Sequence, residues 1–318
     1  MSRPRVGIDG FQKLALATTA TTYLLILVGG LVRASGAGMG CPDWPKCFGL
    51  WIPPLRADQL PPAFDPARFN AALTWTEYTN RLLGVATGFL IFGTLIAAIV
   101  YHRRSPRILW PVVAAFLGVG FQGWLGGRVV AHNLAPWVVT VHLLVALVIV
   151  SLLLYATAQA FFEAEGPRTE RRPVDGVTAT GTTALMALSL SQIALGTQVR
   201  GAIDQHAATF GLPRSALLAS VGWPDTAHRN LALVVLAVAL WLAWRVHRSA
   251  APTPLRRAAF TVAGLAAAQV AAGITLAYFA LPRPVQVAHL SIASLLLGAE
   301  TLLALLARRS AEEGGHRL

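Results

Sequence analysis

The chain has 318 residues, of which 55% are hydrophobic and only 13% charged, whereas soluble domains carry roughly a quarter charged residues. Its charges are separated by apolar runs of roughly 20 residues, long enough to cross a bilayer as helices, which excludes a water-soluble globule. The net charge of +12 does not indicate nucleic acid, because the arginines gather in alternate loops rather than in one patch.

The expected fold is an all-α integral membrane protein with eight transmembrane helices, at about 11–32, 77–100, 108–129, 136–160, 177–199, 226–246, 257–281 and 284–307. The loops on one side carry Arg3, Arg5, the HRRSPR turn at 102–107, Arg168, Arg171, Arg172, Arg245, Arg248, Arg256, Arg257, Arg308 and Arg309. That is the positive-inside pattern, and it places both termini in the cytoplasm of a cell bounded by its plasma membrane. The first span has a basic start, but it is longer than a signal-peptide core and has an internal counterpart, so it reads as a retained helix.

After it, the first outer loop contains both cysteines of the chain, Cys41 and Cys47, in GCPDWPKCFG. The outer face of a bacterial plasma membrane permits disulfides, and a disulfide is the expected state. Two unpaired thiols are the alternative; a zinc site lacks further ligands nearby.

The second span opens with WTEYTNRLLG at 75–84, which places Glu77, Asn80 and Arg81 at a membrane edge. The same pattern returns in the sixth span as DTAHRNLAL, pairing Glu77 with Asp225, Asn80 with His228 and Arg81 with Arg229 at an offset of 148 residues. In the third and fourth spans Gln122 precedes His142 by 20 residues. Gln269 precedes His289 by the same 20 in the seventh and eighth, at an offset of 147. Gly126 and Gly273 correspond as well, and GGLVRASG resembles LGTQVRGA, pairing Arg33 with Arg200. The chain therefore reads as two tandem parallel four-helix-bundle repeats, residues 1–165 and 166–318, because an even number of spans per unit keeps both in one orientation.

Among the eight histidines, His102, His247 and His316 fall among cytoplasmic arginines, and His132 and His206 in outer loops. His142, His228 and His289 lie near the outer ends of even-numbered spans. Two imidazoles facing each other across a bundle make an axial pair for a haem iron. Taken singly, each is also compatible with a core histidine bonded to a neighbouring helix. Arg81 and Arg229 are placed either to bind a haem propionate or to snorkel to the interface. Glu77 either complements the helix dipole, as Asp225 would, or acts as an acid–base group beside a substrate.

The elements GGLVRASGAGMGCPDWPKCFG, E-x-x-N-R at 77–81, NLAPWVVTVHL at 133–143, AHRNLAL at 227–233 and VAHL at 287–290 resemble the haem A synthase family over nearly the whole chain. The resemblance implies an oxidoreductase that converts haem O to haem A by oxidising the C8 methyl to a formyl group, through two hydroxylations and loss of water. It implies a haem B in the C-terminal repeat, ligated by His228 and His289, for electron transfer. It further implies a substrate site in the N-terminal repeat with Glu77 and His142 as catalytic residues, and a disulfide between Cys41 and Cys47. Many members of the family have histidine where this chain has Asn80, a departure that leaves His142 without a second imidazole. An open iron, loss of activity, or rescue by His132 are the alternatives.

Two other functions fit parts of the pattern: a bis-histidine cytochrome carrying electrons only, and a haem carrier for oxidase assembly. The resemblance implies partnership with haem O synthase and cytochrome oxidase assembly, while the electron acceptor is not named by the sequence. The run AGLAAAQVAAGITLAYFA at 263–280 leaves room for a homo-oligomer but reads more simply as packing within the bundle.

Overall fold

The structure, a computed structural model, describes residues 8–166, 175–211, 213–249 and 251–315. Arg3, Arg5, Arg168, Arg171, Arg172 and His316 lie outside the described residues. The α-helices in chain order are α1 (Gly10–Ser35), α2 (Ala71–His102), α3 (Pro106–Ala131), α4 (Pro136–Glu165), α5 (Gly176–Phe210), α6 (Arg214–Leu217), α7 (Trp223–Arg248), α8 (Thr253–Tyr278) and α9 (Arg283–Gly315). Among the described residues no strand forms, and one isolated β-bridge joins Cys47 to Leu50.

Seven of these helices, all but α5 and the four-residue α6, are long and apolar enough to cross a membrane. The expected span at 177–199 falls on α5, whose 35 residues dilute their apolar content with threonine, serine, glycine and glutamine. The helix also outlasts the expected span. Ile203, beyond that span, and Val199, at its end, bury with Leu217 and Val221, and α5 stops at Gly211, whose φ of 59° suits a residue without a Cβ.

Local chemistry sets the other ends. Asp9 and Gln12 form a reciprocal capping box at the start of α1, with N–H to side-chain distances of 2.7 and 3.0 Å. α2 begins at Ala71, ahead of the expected 77, because the Asn70 side chain accepts the Leu73 N–H at 3.1 Å and so caps an extra turn.

In packing, α1 to α4 close a ring: α1 on α2, α2 on α3, α3 on α4, α4 on α1. The helices α5, α7, α8 and α9 close a second ring in the same way, and the two rings meet through α1, α4, α5 and α9. Apolar contact alone discriminates weakly between helices in a lipid-facing protein, so polar ties matter. Across the junction Thr140 and Thr197 hydroxyls meet at 2.7 Å and Gln198 donates to Thr140 at 2.8 Å. Arg33 of α1 and Arg200 of α5 both bind the carboxylate of Asp204, the latter at 3.0 Å. Outward faces carry exposed apolar side chains such as Phe89, Trp110, Leu117, Leu233 and Trp244.

Candidate functional site

In the second ring, His228 on α7 and His289 on α9 face each other with ring centres 6.4 Å apart and planes inclined at 63°. Their Nδ1 atoms are buried without a hydrogen-bond partner. Gln192 of α5 donates to the carbonyl oxygen of His228 at 2.9 Å and thereby fixes the turn that aims the ring. Glycines on the preceding helices make room: a Cβ on Gly196 would lie 2.9 Å from His228 Cε1, and one on Gly273 3.5 Å from His289 Cε1. Two imidazoles each bound through nitrogen at about 2 Å to one metal atom have their ring centres roughly 6 Å apart. The pair therefore fits a single iron between two axial histidines. Arg229 pairs with Asp225 at 2.8 Å and keeps half of its side chain exposed.

The first ring repeats this architecture with one side changed. His142 on α4 has its Nδ1 buried and unpartnered, Gln122 donates to its carbonyl oxygen at 2.8 Å, and a Cβ on Gly126 would sit 3.7 Å from its Cε1. Opposite, on α2, stands Asn80, whose Oδ1 is buried without a partner. A Cβ on Gly29 would lie 3.9 Å from that oxygen, so Gly29 stands to Asn80 as Gly196 stands to His228. The match GGLVR to GTQVR at 29–33 and 196–200 could have revealed this glycine pair. The same alignment places Leu25 where the second ring has Gln192. The imidazole and the glutamine that braces its helix turn are thus missing together.

Cys41 and Cys47 form the expected disulfide. The loop they close is docked on the first turns of α2. Cys41 N–H donates to Glu77 Oε2 at 2.8 Å, and Arg81 Nε donates to Glu77 Oε1 at 3.2 Å. Arg81 Nη1 also donates to the carbonyls of Asp43 and Lys46, both at 2.8 Å. Thr74 donates to the Gly40 carbonyl at 2.9 Å, and a Cβ at Gly40 would meet the Leu73 carbonyl oxygen at 2.4 Å. That close approach requires glycine. Within the loop, Asp43 accepts the Phe48 and Gly49 N–H groups at 2.6 and 2.8 Å. Trp44 lies over Gly127 of α3 and Leu134 over Gly38. The loop thus joins α2 to α3 across the end of the ring that holds Asn80.

Glu77 and Arg81 therefore meet one another and the loop. His132 lies apart, its ring bonded to the Arg128 carbonyl at 2.9 Å and edge-on to Trp137. His206 bonds Ser220 at 2.7 Å, and His102 packs on Phe11 near Glu163. Among the described residues no cluster of three or more His, Cys, Asp or Glu is arranged to hold a metal ion.

The family described as cytochrome oxidase assembly protein (COX15-CtaA) matches residues 12–301. Among similar proteins, a heme A synthase of Methylobacterium sp. (strain 4-46) is 28% identical, over 93% of this chain and 91% of its own length. A heme A synthase of Shewanella oneidensis is 28% identical over 88% and 91%, and one of Cereibacter sphaeroides is 30% identical over 68% and 58%. The chain belongs to the COX15-CtaA family of cytochrome oxidase assembly proteins.

Proposed function

We propose that the chain is a haem A synthase, an oxidoreductase that converts haem O to haem A. The reading includes eight membrane spans, with α5 as the fifth, arranged as two tandem parallel repeats (1–165 and 166–318) in a bacterial plasma membrane with both termini cytoplasmic. The closed packing of each ring supports it, as do heme A synthases among the similar proteins. The observation that carries the functional reading is the facing pair His228 and His289 in one ring against His142 and Asn80 in the other.

His228 and His289 would hold a haem B, whose iron supplies one-electron redox chemistry. Gln192, Gly196 and Gly273 set the orientation of the two rings. In the N-terminal ring His142 holds the substrate haem O from one side. Asn80 presents an amide oxygen on the other side, a poor ligand that leaves that face uncommitted. Glu77 and Arg81 seat the disulfide loop over the ring's end, which helps to keep water from the substrate. Glu77, held by Cys41 and Arg81 at the end of the ring, is in this reading the acid–base group of the reaction as well as the seat of the loop. Arg229, at the outer end of the second ring and half exposed, is placed to reach a haem propionate.

Partnership with haem O synthase and with cytochrome oxidase assembly follows from the same reading. The test is the haem content of the purified protein after co-expression with a haem O synthase. Haem A together with haem B, and loss of haem B alone in His228→Ala, support two sites. Haem B with haem O left unchanged would leave an electron-carrying cytochrome, the second reading that the intact histidine pair allows.

A further inference from the structure

We propose that Glu300 is a proton-binding group whose occupancy is linked to the oxidation state of the iron held between His228 and His289. The proposal rests on the haem reading of that pair. Glu300 lies in α9, within the run LLLGAETLLALL at 295–306, and is 1% exposed. Ser189 of α5 donates to its Oε1 at 2.7 Å, and its Oε2 is buried with no hydrogen-bond partner among the described residues.

A carboxyl group inside a membrane bundle is costly unless it is paired or has a function. Among the described residues no cation pairs with this one. Of the helices that pack against α9, α1 carries Tyr23 and α4 carries Tyr155 along their length, while α5 between 176 and 199 and α8 between 258 and 277 carry no titratable side chain. Tyr23 comes close to α9 near Glu300, since a Cβ on Gly298 would lie 1.9 Å from its hydroxyl.

The placement relates Glu300 to the histidine pair. It follows His289 by 11 residues, close to three whole turns, so both share one face of α9 about 16 Å apart along the axis. Along α9 it lies between Leu296 and Leu303, both members of a buried apolar core, a low-dielectric setting in which charges act over that distance. The repeat offset of 147 puts Leu153 at the matching place in the first ring, buried and apolar. The acid is therefore specific to the half assigned to electron transfer. When the iron there takes one electron from a reductant, Glu300 takes one proton from water onto a carboxylate oxygen, and reoxidation releases both. The added charge is thereby balanced inside the bundle.

The test is potentiometry of the haem-loaded protein from pH 6 to 9, following the low-spin haem signal with dithionite and ferricyanide in the presence of redox mediators. The midpoint of the unmodified protein should fall as pH rises. In Glu300→Gln, and in Glu300→Leu (the residue of the other ring), it should lose that dependence while the low-spin spectrum is retained. Infrared difference spectra of the unmodified protein should show a neutral-carboxyl band that grows on reduction. If the variants do not fold, that band and the pH dependence of the unmodified protein still decide. A pH-independent midpoint, or a dependence that survives in Glu300→Gln, overturns the proposal. A protein without a low-spin bis-imidazole spectrum overturns the haem reading itself, is recognised before any titration, and removes this proposal with it.

Discussion

The carboxylate of Glu77 accepts the backbone N–H of Cys41 at 2.8 Å, across 36 residues of chain, while its other oxygen receives Arg81. One acid at the mouth of α2 thus ties a membrane helix to the disulfide loop. Removing it leaves the partly buried guanidinium of Arg81 without its counter-charge, and breaking such a pair costs up to about 3 kcal/mol. Glu77→Ala should therefore loosen residues 40–49 and lower haem A formation. The haem signal of His228 and His289, in the other ring, should stay intact. Limited proteolysis of the loop beside the reduced-minus-oxidised spectrum measures both; a loop as resistant as in the parent would refute the tie.

The glycines behind the three histidines are not equivalent. A methyl group at Gly196 would press on His228 at 2.9 Å, whereas at Gly273 and Gly126 it would make ordinary van der Waals contact with His289 at 3.5 Å and His142 at 3.7 Å. Gly196→Ala should displace its imidazole and abolish most of the low-spin haem, while Gly273→Ala and Gly126→Ala should be tolerated. Haem stoichiometry of the three purified variants gives the contrast directly.

Opening the disulfide frees only a short ring. Chain-entropy arguments put its contribution at about 2 kcal/mol, and that contribution acts on the loop. Cys41→Ser with Cys47→Ser should make the loop susceptible to protease and lower haem A formation, yet leave helical content unchanged by circular dichroism. A fall in helicity comparable to unfolding would show that the loop holds the bundle itself.

Much of the scaffold is visible in the sequence because it recurs: the offsets that align Gln122 with Gln269 and His142 with His289 reflect helices that must present the same groups at the same depth. The docking of Cys41 on Glu77, and of Asp43 and Lys46 on Arg81, is not visible, since backbone atoms 35 to 40 residues away supply the partners. The start of α2 at Ala71 rather than at 77 rests on the Asn70 cap, which lies ahead of the long apolar run that marks the span. The sequence predicts an ordinary span at 177–199, but the polar content of α5 sets it apart from the other seven long helices. A lone acid within LLLGAETLLALL is a signal, but the weight of Glu300 depends on its burial, which spacing does not reveal.

Asn80 and Leu25 make the sharpest prediction, because the first ring departs from the second at both positions together. The cradle itself remains: Gly29 still faces residue 80, with 3.9 Å between its would-be Cβ and the amide oxygen. His142 and its own brace, Gln122, are in place on the other side. Asn80→His alone supplies an imidazole on an unbraced turn, and Leu25→Gln supplies the donor that Gln192 gives to the His228 carbonyl. The double variant should therefore show a second low-spin bis-imidazole haem signal, absent from the parent and weaker in Asn80→His alone, and its haem A output should fall because the face opposite His142 is now occupied. Magnetic circular dichroism and haem extraction on the same samples read both effects. If the double variant makes haem A at the parental rate while carrying two low-spin haems, then reaction does not require that face to be open, and the asymmetry between Asn80 and His228 needs another cause.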